Sequence, residues 1–187
     1  MTPPSQSLQI ALRRYHDQWQ GEADTVARFA DFLHSHPQVF ERGHAEGHFT
    51  GSAWLVSGDG ERVLLMHHRK LGRWLQPGGH ADGDNDLARV ALREAQEETG
   101  VAGLRVEDGI FDLDRHRIPA RGHEAEHWHY DVRYVVRATG DEAFVANGES
   151  LGLAWRPVRA IAVDEAADAS LRRMARKWLI RDGGAGA

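Results

Sequence analysis

The spacing of apolar residues divides the chain into a helical beginning and a mixed remainder. Leu8, Ala11, Leu12 and Tyr15 recur at helical spacing and predict a helix over about 6–19. Gly21 breaks that run. Val26, Phe29, Ala30 and Leu33 then mark one face of a second helix over about 23–33, closed ahead of Pro37. From Phe49 the pattern shortens to strand length. Residues 49–56 and 62–67 predict two strands separated by the turn-forming SGDG at 57–60. LQPGG at 75–79 is a stretch no helix crosses, and a helix follows over about 86–99, with Gly100 suited to the position just past its end. Strands are predicted at about 104–114, 128–137 and 152–156. A last helix is predicted over about 165–180, with Ala166, Ala169, Leu171, Met174, Trp178 and Leu179 supplying its apolar contacts. No internal repeat is present. The reading is α/β: a helical N-terminal extension over 1–45, one domain over 46–182, and a disordered tail over 183–187.

Composition acts mainly by exclusion. The 187 residues are 41% hydrophobic and 27% charged, which places the chain among ordinary globular proteins of about one domain. A formal net charge of -5 argues against a non-specific nucleic-acid binder, and no nucleic-acid partner is expected. The absence of cysteine rules out disulfides, zinc–thiolate sites and a thiol nucleophile. The N-terminus lacks the apolar core of a secretory signal, and no run reaches the ~18 apolar residues that span a bilayer. A cytoplasmic location without membrane attachment is the expectation.

The helix over 86–99 carries the chemistry. At about 100° per residue, Ala88, Ala91, Leu92 and Ala95 form its packing side, and Glu94, Glu97 and Glu98 fall in one sector. Three convergent carboxylates are what a hard, oxygen-seeking cation takes from a short rigid element. A merely solvated acidic face fits less well. Like charges four apart repel by roughly 0.2–0.5 kcal/mol, and the C-terminal end of a helix dipole disfavours each anion by about 0.3–1 kcal/mol. Arg93 neutralises at most part of that charge.

Residues 79–101, GHADGDNDLARVALREAQEETGV, resemble the Nudix box, G-x5-E-x7-R-E-U-x-E-E-x-G-U with U apolar. Gly79, Arg93, Glu94, Ala95, Glu97, Glu98, Gly100 and Val101 fit in register, and Asn85 stands where the pattern has glutamate. In element order the resemblance runs from about Phe49 to Trp178. It implies an α/β/α sandwich around a mixed sheet and a hydrolase that cleaves a pyrophosphate bond in a nucleoside diphosphate linked to another moiety. It also implies Mg²⁺, or Mn²⁺, as cofactor. Carried over by position, Glu94, Glu97, Glu98 and the Gly78 carbonyl are metal ligands and Arg93 orients the glutamates. Glu149 is the candidate base from outside the box. Asn85 leaves the site one carboxylate poorer, with Asp84 or Asp86 as neighbours that a small shift would bring in. A nucleotide sensor without turnover is the alternative reading; an isoprenoid diphosphate isomerase lacks its usual cysteine.

Histidines supply the remaining candidates. His127, His129 and Asp131 alternate along a strand opposite Trp128 and Tyr130, and are candidates to bind phosphate, position a leaving group or hold another metal. A cupin-like metal site at the histidine pair lacks a third ligand at a convincing spacing. His67, His68, Arg69, Lys70, Arg73 and His80 are candidates for contacts to a polyphosphate, whereas Trp74 reads as packing. Pro119 lies near, but not at, the position of the ADP-ribose-specific proline, so a small nucleotide-type molecule is expected without its identity. For the N-terminal helices two roles are expected, a homodimer interface or a cover over the substrate cleft.

Overall fold

The computed structural model describes residues 4–122, 124–146, 148 and 150–183. The predicted disordered tail lies outside these residues apart from Gly183, which closes the last helix. The chain forms two compact units. One gathers the residues up to Ser52 with Gly78–Ala91 and Asp108–Tyr134; the other gathers Ala53–Pro77, Leu92–Glu107 and the residues from Val135 onward.

In the first unit, helix α1 (Pro4–Gln18) and a 3₁₀ turn (Gln20–Glu22) lead into α2 (Ala23–Ser35). Gly21 sits in that turn, where the helical periodicity breaks. The Tyr15 hydroxyl donates to Glu22 at 2.5 Å and ties the turn to α1. Phe29, Phe32 and Leu33 of α2 are buried. They meet β1 (Gly47–Val56) and β7 (His127–Ala138): Phe32 stacks on Tyr130 at 3.8 Å and 4°, and packs beside Phe49 at 5.3 Å. Successive residues of a strand face opposite sides, so Phe49 and Gly51 take one face of β1 and His48, Thr50 and Ser52 take the other. A Cβ on Gly51 would stand 2.8 Å from the Leu87 carbonyl oxygen, so the start of α3 (Leu87–Thr99) seats directly on strand backbone. β4 (Gly78–His80) runs antiparallel to β1 with His80 opposite Thr50, and β6 (Asp112–Ile118) runs antiparallel to β7 with His116 opposite His129.

In the second unit, β2 (Arg62–His68) is flanked by β3 (Arg73–Leu75) and β8 (Ser150–Pro157), both antiparallel to it. β5 (Leu104–Val106) pairs with the far end of β7. Helices α4 (Val158–Val163) and α5 (Ala169–Gly183) complete it. Leu171, Met174 and Trp178 are buried, and the Trp178 indole N–H donates to the Gly60 carbonyl at 2.8 Å.

Three predicted elements are redrawn. The strand over 104–114 is two strands, broken at Gly109 with φ 87, because only glycine takes that backbone cheaply. The helix over 165–180 begins only at Ala169. Asp164 accepts the Ala166 N–H at 2.9 Å, a local bond that competes with helix continuation, and Asp168 caps the helix start by accepting the Ser170 N–H at 2.9 Å. The break at 75–79 overlaps the end of one short strand, β3, and the start of another, β4. Among the described residues no helix is long and apolar enough to cross a membrane.

Candidate functional site

Helix α3 is framed by local chemistry at both ends. Asp86 caps its start by accepting the Arg89 backbone N–H at 3.1 Å, and Asp84 holds the Arg89 guanidinium at 2.7 and 2.9 Å. The two acids flanking exposed Asn85 are thus engaged in the helix start. At the other end Gly100 takes a left-handed φ of 65, and its N–H donates to the Gln96 carbonyl at 2.9 Å. In the turns before it, Glu94 is half-buried, Glu97 exposed and Glu98 only 7% exposed. Arg93 Nη2 pairs with Glu94 Oε1 at 2.9 Å, and the last turn carries no basic residue. An all-carboxylate donor set, placed against the helix dipole and partly out of water, suits a hard divalent cation.

The other predicted site residues lie as follows. Gly78 begins β4 opposite Ser52, so close that a Cβ would run into the serine Oγ. Glu149 lies outside the described residues. Arg69 donates to the carbonyls of Gly148 at 3.1 Å and Ser150 at 3.2 Å, and His68 Nδ1 accepts the Lys70 N–H at 3.2 Å. Both side chains therefore brace the β2–β3 turn. Arg73 lies 3.4 Å from Asp168 and lines a cavity of about 330 Å³ with Leu65, Trp74, Arg156 and Leu171. Trp74 stacks on His67 at 5.2 Å and 18°.

The histidines make a feature that sequence reasoning saw only in part. His48 of β1, His80 of β4 and His129 of β7 offer ring nitrogens that all lie within 4.8 Å of one another. Among the described residues this is the compact group of three metal-type donors, and it is made of histidines rather than of the box glutamates. Of the predicted H-x-H pair only His129 belongs to it; the other two members come from β1 and β4. His127 and His116 adjoin, with ring centroids 5.3 and 5.4 Å from His129. Burial, reinforced by the neighbouring imidazoles, lowers the His48 pKa to about 4 and that of His129 further still. Burial lowers that of His80 too.

Along the same strand faces lies a charged network. Arg133, with 3% of its side chain exposed, reaches Asp131 at 2.7 Å, Asp114 at 3.2 Å and Asp112 at 3.3 Å. Asp131 also accepts the hydroxyls of Thr50 and Ser52 at 2.9 and 2.8 Å. His48, Arg133, Asp112 and Asp114 were not among the predicted site residues. The available signal was a period of two in polar residues along 48–52, 112–116 and 127–133.

Comparison with known proteins bears on the family and the fold. Residues 48–178 match the family model of the NUDIX domain. A Mycobacterium tuberculosis (strain ATCC 25618 / H37Rv) protein, provisionally named 8-oxo-dGTP diphosphatase 3, is 32% identical over 119 residues, 60% of this chain and 50% of that one. A Bacillus subtilis (strain 168) protein, provisionally named an 8-oxo-dGTP diphosphatase, is 26% identical over 106 residues, 56% of this chain and 64% of its own. The chain thus spans between half and two thirds of the length of these curated relatives. Among solved structures, a C. elegans Ap4A hydrolase binary complex superposes with a TM-score of 0.58 at 18% identity, over 73% of this chain and 98% of that one. The E. coli dihydroneopterin triphosphate pyrophosphohydrolase gives 0.58 at 17%, over 71% and 95%. At these identities the likeness is one of fold, the α/β/α sandwich around a mixed sheet, here preceded by α1 and α2. On the strength of the domain match and that shared fold, the chain belongs to the NUDIX domain family.

Proposed function

We propose that the chain is a divalent-metal-dependent hydrolase that cleaves a pyrophosphate bond in a nucleoside diphosphate linked to a further phosphate or to a sugar. The observation that carries this is α3: Glu94, Glu97 and Glu98 within two turns, Glu98 buried, and no basic residue in the last turn. In this reading Glu94 and Glu98 hold the ion, with Glu97 beside them, and Mg²⁺ is the natural occupant because it takes few carboxylates and keeps several waters. When bound, the cation neutralises charge on the phosphate oxygens.

The chain's own groups do the rest. Arg93, paired with Glu94, fixes that carboxylate's direction. The Gly100 cap ends the helix directly after the glutamates and prevents them from fraying away from the site. Water attacks one phosphorus and the bridging P–O bond breaks, so a proton acceptor is required; Glu149 is the candidate. Support for a triphosphate-like substrate comes from the relatives, whose names refer to 8-oxo-dGTP, Ap4A and dihydroneopterin triphosphate. Such substrates fit a cytoplasmic enzyme.

The test is a panel of nucleoside triphosphates, dinucleoside polyphosphates and nucleotide sugars, assayed with Mg²⁺ and then Mn²⁺ and resolved by anion-exchange chromatography. Cleavage at a pyrophosphate linkage, abolished by EDTA, is expected. No turnover of any member with either metal contradicts the proposal.

A further inference from the structure

Outside the glutamates of α3, the chain carries a second set of metal-type donors. His48 is 1% exposed, and among the described residues neither of its ring nitrogens has a hydrogen-bond partner; the buried Nε2 of His129 has none there either. Leaving a buried polar atom without a partner is unfavourable, and buried polar groups in native proteins are nearly always satisfied. These orphan nitrogens sit in the group whose donor atoms, with one from His80, all lie within 4.8 Å.

We infer that His48, His80 and His129 form a binding site for a divalent transition-metal ion of the zinc type, distinct in its ligands from the carboxylates of α3. Three imidazoles without a carboxylate suit Zn²⁺ and its transition-metal neighbours, not Mg²⁺. Zinc–nitrogen bonds of about 2.0–2.1 Å place two ligating nitrogens about 3.4 Å apart. Reaching that from 4.8 Å requires each ring to move by less than about 1 Å.

The surroundings agree with a cation. His116 donates Nδ1–H to Asp114 at 3.1 Å, and His127 donates Nδ1–H to the Ala125 carbonyl at 2.8 Å. Two residues along β7, Asp131 begins a network in which three aspartates face one arginine, Arg133. That negative excess favours a positive charge nearby. The site rests on strands rather than loops, which pre-positions its ligands.

The experiment uses the full chain, stripped with EDTA and dialysed, and Zn²⁺ alone as probe. Competition titration against a chromophoric chelator is expected to give one tight equivalent of Zn²⁺. His80→Gln and His129→Gln are each expected to weaken that equivalent by at least about 10–100-fold, the range reported even for second-shell partners. The Glu94→Gln/Glu98→Gln double variant is expected to keep it. X-ray absorption at the zinc edge of the wild-type protein needs no variant, and is expected to show at least three imidazole nitrogens. Failure to retain Zn²⁺, unchanged affinity in folded histidine variants, loss of the equivalent in the glutamate variant, or an all-oxygen shell each overturns the site. None of these readouts depends on hydrolysis, so their outcome is separate from that of the proposed activity.

Discussion

Single residues in this chain carry sharply unequal stakes. Arg133 is the centre of a buried network with Asp112, Asp114 and Asp131. Arg133→Ala would leave those acids uncompensated, and removing one member of a buried ion pair costs about 3–5 kcal/mol. A fall of that size in unfolding free energy, read from urea denaturation, is expected; Arg42→Ala, an exposed partner of Asp82, is expected to change it by less than about 1 kcal/mol. The histidines make stability depend on pH in a defined direction. His48 is held neutral with a pKa near 4 against 6.5 in the unfolded chain, by burial first and then by His80, His127 and Arg42, with Asp82 opposing. Between those values the unfolded state binds more protons. The His48 contribution to stability is therefore constant above about pH 6.5 and falls as pH drops toward 4, at about 1.4 kcal/mol per pH unit for each proton taken up. His80 and His129 are lowered too and steepen the fall. Denaturation midpoints of the metal-free protein from pH 8 to pH 4 check this, and a flat profile contradicts it.

At the scale of elements, the close seat of α3 on β1 is the contact most sensitive to a single methyl group. Gly51→Ala puts a Cβ 2.8 Å from the Leu87 carbonyl, and backbone cannot yield as a flexible side chain does. A loss of about 1–3 kcal/mol is expected from such overpacking, with a lower melting temperature as the readout. The helix itself was legible in the sequence: its apolar period, Asp86 at the start and Gly100 at the end all reappear in the structure within a residue. So were α1, α2, β1, β2, β7 and β8, whose patterns are long. What the sequence concealed were features without a period of their own. β3 and β4 are three residues each and exist only through their antiparallel partners. The turn at Gly109 hid inside one strand-length run, and Asp164 and Asp168 set the end of α4 and the start of α5 through local bonds that periodicity does not register. The histidine group was legible only for 127 and 129, since His48 and His80 join it through strand pairing rather than proximity in sequence.

For the molecule as a whole, the N-terminal helices share a core with the strands that follow them. Phe29 and Phe32 pack with Phe49 and Tyr130, and all four are buried. Deleting the chain through Ser35 would remove Phe29 and Phe32 and uncover Phe49 and Tyr130, and losing even one buried phenylalanine side chain costs about 3–5 kcal/mol. The truncated protein is expected to aggregate or to lose cooperative thermal unfolding in calorimetry; a soluble product that melts like the intact chain contradicts this packing role. Catalysis, in the proposed reading, rests on the buried carboxylate of Glu98 in α3. It is tested most directly by comparing the intact protein with Glu98→Gln, in Mg²⁺, on whichever polyphosphate nucleotide the intact protein turns over fastest. Losing a direct ligand should cost at least as much as losing a second-shell partner, so kcat is expected to fall by at least roughly 10-fold while the thermal midpoint holds. A Glu98→Gln variant that hydrolyses the same substrate at the rate of the intact protein would contradict the assignment.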